Sequence, residues 1–173
     1  MAQASWHTLA PAAAAGALTL LALLAVPSFP PPRAQSSGVP LDLATYPRTE
    51  LTITAPPPAK THTFRVWVAD TPQRSEQGLM FVSDLPESEG MVFPLAPPRL
   101  ESMWMKNTYI ELDMLFIGTD GRVTKIIERA HPLSLEPLSS GAPVAAVLEL
   151  KGGAAAKLGL KIGDTVSWKK PSP

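Results

Sequence analysis

Residues 112–127 read Leu-Asp-Met-Leu-Phe-Ile-Gly-Thr-Asp-Gly-Arg-Val-Thr-Lys-Ile-Ile, and this stretch decides the fold. Residues 112–117 form an almost continuous apolar run, which is typical of a strand buried on both faces. The Asp-Gly pair at residues 120–121 readily adopts the positive φ angles of a tight hairpin turn. Residues 123–127 then predict the returning strand. The sequence therefore predicts a hairpin whose first strand lies in the core.

Short candidate strands lie on both sides of this hairpin. They are residues 51–55, 62–69, 90–95, 143–150 and 165–168. Many short strands, Gly- and Pro-rich turns and no long helix are typical of an all-β protein. We therefore expect a mainly β, compact single domain, either a β-sandwich or a partly open barrel, with one or two short helices.

The predicted helices are brief. Thr71 can cap a helix that starts at Pro72 and stops at Gly78, and residues 154–158 form a second short helix. The Pro97-Pro98 pair predicts a turn, because proline cannot donate a backbone hydrogen bond to a sheet.

The start of the chain resembles an export signal. Residues 12–26 are almost wholly apolar, which suits a signal-peptide core and is short for a spanning helix of about 20 residues. Ala34 is a suitable cleavage point. We predict a signal peptide over residues 1–34 and an exported, periplasmic protein, although residues 1–11 lack Lys and Arg. The alternatives are an uncleaved leader, which would be the only contact with the membrane, and a cytosolic chain.

The remaining chain divides into an arm and a domain. Residues 35–50 contain Ser, Gly and Pro and predict a linker or loose N-terminal arm. Residues 51–169 are expected to form the mainly β domain. Because the chain has no cysteine, disulfides are excluded and the core alone must hold this domain together.

Composition also excludes several classes of function. The chain has 15 Lys and Arg and 15 Asp and Glu, so its formal net charge is zero, which argues against a nucleic-acid partner. Without cysteine there is no thiolate nucleophile and no thiolate zinc site. His62 and His131 are too few and too far apart for a usual metal-ligand pattern, although a mixed site with Asp113 and Glu149 is conceivable. We predict no cofactor and no metal.

A polar cluster follows Trp104 and stands between two apolar runs. Its candidate ligand-binding residues are Lys106, Asn107, Thr108 and Asp113. In a pocket, Lys106 would bind an anionic or carbonyl group, Asn107 would orient it, and Asp113 would accept a hydrogen bond or tune Lys106. In a structural role, Asp113 would accept backbone N–H bonds, and Asn107 with Thr108 would hold a turn. Both interpretations remain open at this point.

Glu149 completes the candidate ligand-binding set from within an apolar strand. Strict alternation allows its side chain to face solvent. If it faces inward, it needs a cation such as Lys106 or Arg74, and its pKa would then be perturbed in a way that marks a site.

Five methionines accompany the polar cluster. They are Met80, Met91, Met103, Met105 and Met114. Burial preference favours a core role for them, and the alternative is an adaptable apolar wall around a pocket.

The chain from about Leu51 to Trp168 resembles the bacterial and archaeal family called domain of unknown function 192. The segments that carry the resemblance are 77–80 (Gln-Gly-Leu-Met), 90–93 (Gly-Met-Val-Phe), 104–108 (Trp-Met-Lys-Asn-Thr), 112–117, 120–121 (Asp-Gly), 146–150 and 159–164. Their order and spacing agree over the whole predicted domain. The resemblance implies a compact, mostly β domain that is often exported, and it implies no particular reaction.

Three functions are consistent with these observations. The first is an exported small-ligand-binding or accessory module of the cell envelope. The second is a hydrolase or lyase on an envelope sugar or peptide, with Asp113 and Glu149 as the acid and base. The third is a structural partner in an envelope complex, through an exposed strand edge. The expected partner is thus an unknown small molecule or an envelope protein, and whether the chain catalyses a reaction stays open.

Overall fold

A computed structural model describes residues 40–57 and 59–169. The predicted signal peptide, residues 1–34, and residues 35–39 of the predicted arm lie outside this part of the chain. The elements in order are a 3₁₀ helix (Leu43–Thr45), β1 (Arg48–Thr54), β2 (Thr61–Val68), α1 (Pro72–Gln77), β3 (Glu89–Met103), β4 (Leu112–Ile117), β5 (Val123–Ala130), β6 (Leu138–Lys151), α2 (Ala154–Leu158) and β7 (Thr165–Trp168). No helix in the described ranges has the length and apolar character needed to cross a membrane.

The seven strands form one curled sheet in the order β5-β4-β6-β3-β2-β1-β7. Only β2 and β3 pair in parallel, and the other neighbours are antiparallel. The two edges approach each other, because Arg122 bridges Thr165 and the Val166 N–H donates to the Gly121 carbonyl at 2.8 Å. The mainly β prediction is confirmed, and the sheet has the shape of a half-barrel.

The central strands are buried on both faces. On β4, Leu115 and Ile117 pack into the interior of the curl, whereas Met114 and Phe116 pack into a second apolar cluster on its outer side. The segment that contains Leu79 and Leu85 and the segment that contains Met105 cover this outer cluster. All six residues of β4 are therefore buried, which explains its continuous apolar sequence.

Local signals for helix α1 and for the β4–β5 hairpin are confirmed. Thr71 Oγ1 accepts a hydrogen bond from the Arg74 N–H at 3.3 Å, and Pro72 is the first helical residue. Gly78 ends the helix with a φ of 51°. Gly121 has a φ of 76° in the turn between β4 and β5.

The turn predicted at Pro97-Pro98 is wrong. Strand β3 continues to Met103, and its register against β6 shifts between Pro94 and Arg99. The two prolines lie in this irregular stretch, where no ladder hydrogen bond is required of them. The chain therefore stays extended, and this part of β3 runs along the edge of a pocket.

Residues 40–47 pack against helix α1. The Gln77 side-chain amide donates to the Leu41 carbonyl at 2.7 Å and accepts from the Leu41 N–H at 2.5 Å. Tyr46 is buried in the outer cluster, and β1 already begins at Arg48. The later part of the segment predicted as an arm thus contacts the domain.

Candidate functional site

Asp113 lies on the interior face of the curl and is fully buried. Its Oδ1 accepts hydrogen bonds from the backbone N–H groups of Arg129 at 2.8 Å and Gly153 at 2.9 Å, and its Oδ2 accepts from Ala155 at 2.7 Å. These donors belong to β5 and to the start of α2, and not to the turn that follows Trp104. The carboxylate therefore links β4, β5 and α2.

The loop that leads from β6 into α2 requires glycine, because it passes very close to neighbouring residues. A Cβ atom on Gly152 would lie 2.5 Å from the Glu111 Cβ and 2.9 Å from its backbone. Gly153 has a φ of 85°, and a Cβ there would lie 2.5 Å from an Arg129 guanidinium nitrogen. Arg129 in turn forms a 2.6 Å ion pair with Glu111. The two glycines thus let Asp113 reach the N–H groups at the start of α2.

Lys106, Asn107 and Thr108 form a turn on the outer side of the sheet. The Thr108 N–H donates to the Met105 carbonyl at 3.1 Å, and Asn107 adopts a φ of 53°, which asparagine tolerates well. The Lys106 ammonium lies 5.0 Å from the centre of the Trp104 ring. Thr108 is buried, whereas Lys106 and Asn107 are partly exposed.

Glu149 is buried, so the solvent-facing orientation expected from alternation is wrong. It lies on the outer side of β6, between its cross-strand partners Met91 on β3 and Met114 on β4. The prediction from strand alternation failed because the outer apolar cluster covers this face of β6 as well. Glu149 Oε2 has no hydrogen-bond partner in the part of the chain that the structure describes.

Neither of the cations expected near Glu149 pairs with it among the described residues. Arg74 forms an ion pair with Asp70 at 2.6 Å, and Lys106 lies over Trp104. Burial alone raises the pKa of the Glu149 carboxyl from 4.5 to about 8. At pH 7 the group is therefore largely neutral and carries a hydroxyl that can donate a hydrogen bond.

A pocket of about 100 Å³ opens over Glu149 between α1, β3 and the turn after Trp104. Its apolar walls are Leu79, Met80, Phe93, Leu95, Met103 and Trp104. Gly78 also lines the pocket. Thr108 and Glu149 contribute polar groups from within the fold. The arrangement can enclose a small, partly apolar molecule and offer it one carboxyl group.

The rim of this pocket carries three further charged residues. Glu76 lies on α1, and Arg99 and Glu101 lie on β3, where the Arg99 guanidinium is 2.8 Å from a Glu101 carboxylate oxygen. The candidate set derived from the sequence omits all three. No local sequence signal could have indicated them, because their proximity to Glu149 depends on how α1 packs over β3.

The structure separates the predicted site residues into three places. Asp113 lies inside the curl, Lys106 and Asn107 lie on an outer turn, and Thr108 and Glu149 line the pocket. Within residues 40–57 and 59–169, no three His, Asp and Glu side chains are grouped so that they could hold a metal ion. Met80 and Met103 line the pocket, whereas Met91, Met105 and Met114 belong to the core.

Comparisons with known proteins are consistent with this architecture. Residues 54–168 match the family model described as DUF192, Uncharacterized ACR. No curated protein matches the chain.

Several solved structures resemble the chain, and two of them are the following. A Sinorhizobium meliloti 1021 protein, named provisionally as a transcription regulator, is 39% identical with a TM-score of 0.69, and the match covers 71% of this chain and 95% of that one. A protein of unknown function from Novosphingobium aromaticivorans DSM 12444 is 42% identical with a TM-score of 0.67, and the match covers 70% of this chain and 85% of that one.

Proposed function

This chain belongs to the DUF192 family, and from that premise we propose that it is a small-ligand-binding module whose site is the pocket over Glu149. The observation that carries the proposal is the buried Glu149 Oε2, which lacks a hydrogen-bond partner among the described residues. Buried polar atoms are nearly always paired, and an unpaired one costs about 1–3 kcal/mol. A ligand in the pocket would supply the missing partner.

The walls of the pocket support the same proposal. Ligand sites are usually concave and combine apolar walls with polar groups that fix the orientation of the ligand. Here six apolar side chains line the pocket together with eight polar or charged ones, of which Thr108 and Glu149 are buried. The two methionines in the wall, Met80 and Met103, have flexible side chains that can adapt to a ligand.

The acid–base alternative with Asp113 and Glu149 has less support. Asp113 pairs with Leu150 in the sheet and Glu149 pairs with Met114, so the two carboxyl groups point to opposite faces. Asp113 also accepts three backbone hydrogen bonds. A hydrolase or lyase would need both carboxyl groups at one cleft.

A structural role through an exposed strand edge also has less support. The edge strand β7 and the start of β5 approach each other at the Arg122–Thr165 bridge. Part of each edge is thereby protected from pairing with another chain.

The name of the Sinorhizobium relative is not a basis for proposing DNA binding by this chain. Its formal net charge is zero. Eight basic side chains of the described part of the chain form ion pairs with carboxylates, namely Arg48, Arg65, Arg74, Arg99, Arg122, Arg129, Lys151 and Lys157. Recognition of DNA usually needs a face with free basic side chains.

The compartment is a second part of the proposal. The apolar run at residues 12–26 supports export to the periplasm, with cleavage after Ala34. Mass spectrometry of the protein isolated from the envelope fraction tests this assignment. A chain that begins at Gln35 supports it, and a chain that keeps Met1 and remains in the cytosolic fraction contradicts it.

A thermal-shift screen of small molecules on the full chain tests the ligand site. Compounds that raise the melting temperature of the wild type should have little effect on Glu149→Gln. The control is Glu87→Gln, because Glu87 forms an exposed ion pair with Lys157 and does not line this pocket. Compounds that stabilise the wild type and Glu149→Gln equally would contradict the proposed site.

A further inference from the structure

The charged residues around the pocket are mostly acidic. Glu76 comes from α1, Arg99 and Glu101 come from β3, and Glu149 comes from β6. The Arg99 charge is compensated by Glu101 at 2.8 Å. The turn after Trp104 contributes Thr108 to the lining and no charged group, and the Lys106 ammonium lies outside the lining, 5.0 Å from the centre of the Trp104 ring. The formal charge of the lining is therefore negative even while Glu149 is protonated, and ionisation of Glu149 makes it more negative.

The volume of the pocket limits the size of its ligand. A cavity of about 150 Å³ in another protein holds one benzene molecule, so about 100 Å³ fits a somewhat smaller molecule. The lining includes apolar side chains such as Phe93 and Met103 as well as Glu149. A suitable ligand is therefore short and apolar at one end, with one polar group that meets the Glu149 carboxyl.

We propose that this pocket binds a primary alkylammonium group, whose N–H donors pair with the Glu149 carboxylate while its short apolar chain contacts the walls. This inference rests on the proposed function and names its ligand class. Buried charges are normally paired, so an ionised Glu149 calls for a cationic partner, and Glu76 and Glu101 disfavour an anionic ligand. The ammonium can belong to a free amine or to a lysine side chain of a peptide.

Binding of an ammonium group is coupled to the release of a proton. Because burial raises the pKa of Glu149 to about 8, the empty site is largely protonated at pH 7, and the carboxyl must lose its proton to pair with a cation. The affinity should therefore rise with pH, by up to about tenfold per unit between pH 6 and 8, and level off above that range. A neutral ligand that accepts a hydrogen bond from the protonated acid would show the opposite dependence.

An NMR titration of the full chain with matched probes tests the ligand class. The probes are n-butylammonium, n-butanol and butyrate, each at pH 6, 7 and 8. We expect n-butylammonium to shift the backbone amides of Gly78 and Thr108 with an affinity that increases with pH. Butyrate should not bind, and n-butanol should bind at least tenfold more weakly than n-butylammonium at pH 8. Equal binding of n-butanol, or an ammonium affinity that falls as pH rises, would overturn the inference.

Two variants test whether the Glu149 carboxyl group is responsible for binding the ammonium group. Glu149→Gln should weaken n-butylammonium binding at least tenfold, whereas Glu87→Gln should leave it unchanged. Unchanged binding by Glu149→Gln would overturn the inference. The pH series on the wild type requires no substitution, so the test remains decisive if Glu149→Gln does not fold.

A fourth probe distinguishes the two sources of the ammonium group. Nα-acetyl-lysine methylamide carries the ammonium on a peptide-like backbone, and tighter binding than n-butylammonium would assign the site to a lysine side chain. If neither ammonium probe binds while a screened compound stabilises the wild type and not Glu149→Gln, the ligand class is wrong and the proposed pocket stands. If screened compounds stabilise both proteins equally, the proposed pocket itself is wrong.

Discussion

At the scale of single residues, Glu149 and Asp113 show how two carboxyl groups on neighbouring strands can take opposite roles. Asp113 faces the interior of the curl and accepts three backbone N–H bonds. Glu149 faces the outer cluster, and its Oε2 has no partner in the described residues. Burial of a carboxyl group without partners favours its neutral form, and this raises the pKa of Glu149. The first group therefore suits a structural link, and the second suits a ligand site.

The raised pKa of Glu149 makes stability depend on pH. The folded protein binds this proton more tightly than the unfolded chain, since the pKa is about 8 when folded and near 4.5 when unfolded. The stabilisation of the folded state by the protonated Glu149 is complete below pH 4.5 and is lost as pH rises towards 8. Between pH 5 and 8, the unfolding free energy of the wild type should fall by about 3 kcal/mol relative to Glu149→Gln.

Urea denaturation of both proteins across this pH range measures that difference. Glu149→Gln serves as the reference because it removes only this titration, and all other titrating groups are shared. Parallel stability curves for the two proteins would contradict the burial of a titrating carboxyl group.

Substitution of Asp113 should destabilise the fold strongly. Asp113→Asn replaces one acceptor oxygen with an NH₂ group that faces a backbone N–H, so at least one buried donor loses its partner. We expect a loss of about 2 kcal/mol or more, seen as a decrease of several degrees in melting temperature. Lys106→Ala is the matched control from the same predicted set, and it should change stability by less than about 0.5 kcal/mol because Lys106 is partly exposed. Equal, negligible effects of the two substitutions in calorimetry would contradict the structural role of Asp113.

At the scale of elements, the short helix α2 depends on the close approach of its preceding loop to residue 111. Gly152 lies beneath Glu111, with its N–H donating to the Glu111 carbonyl at 2.9 Å. This contact places the start of α2 so that the Gly153 and Ala155 N–H groups reach Asp113. A five-residue helix has little stability alone, so these tertiary contacts must hold it.

Gly152→Ala should therefore destabilise the protein through a steric clash. The added Cβ would lie within 3 Å of Glu111 backbone atoms, and overpacking of this kind costs about 1–3 kcal/mol. Gly159→Ala, at the other end of α2, is the control, because its Cβ would meet nothing within 4 Å and only its φ of 70° is strained, at about 1 kcal/mol. Chemical denaturation that finds Gly152→Ala no worse than Gly159→Ala would rule out the clash.

At the scale of the whole molecule, the curled sheet separates two environments. Its inner face holds the core cluster with Asp113, and its outer face holds the second cluster with the pocket. Strand β4 and residues 146–150 of β6 lie between these clusters and are covered on both sides. The pocket therefore lies against covered strands, while its rim comes from α1, the end of β3 and the turn after Trp104.

The hydrogen-exchange rates of backbone amides should differ between the doubly covered strands and the edges of the sheet. Amides of β4 and of residues 146–150 in β6 should exchange slowest, because both clusters must open to expose them. Amides of the edge strand β7 and of residues 40–46 should exchange faster. Mass spectrometry or NMR of the exchanging protein measures these rates, and protection of β7 equal to that of β4 would contradict the proposed order of stability.

The amino-acid sequence by itself determined the elements whose signals are local. The hairpin at residues 120–121, the cap at Thr71 and the apolar strand β4 follow from neighbouring residues alone, and the structure confirms each of them. Turn geometry, helix capping and side-chain periodicity act over a few residues, so they can be recognised without knowing the fold.

Only the tertiary structure decided the hydrogen-bond partners and the burial of the candidate site residues. The donors that bind Asp113 lie 16, 40 and 42 residues away in the sequence. Whether Glu149 faces water depends on what packs over β6, and alternation within the strand carries no information about that covering. Burial is a property of the assembled layers, so the orientation, the raised pKa and the pocket of Glu149 arise only when α1 and the turn after Trp104 close over the sheet.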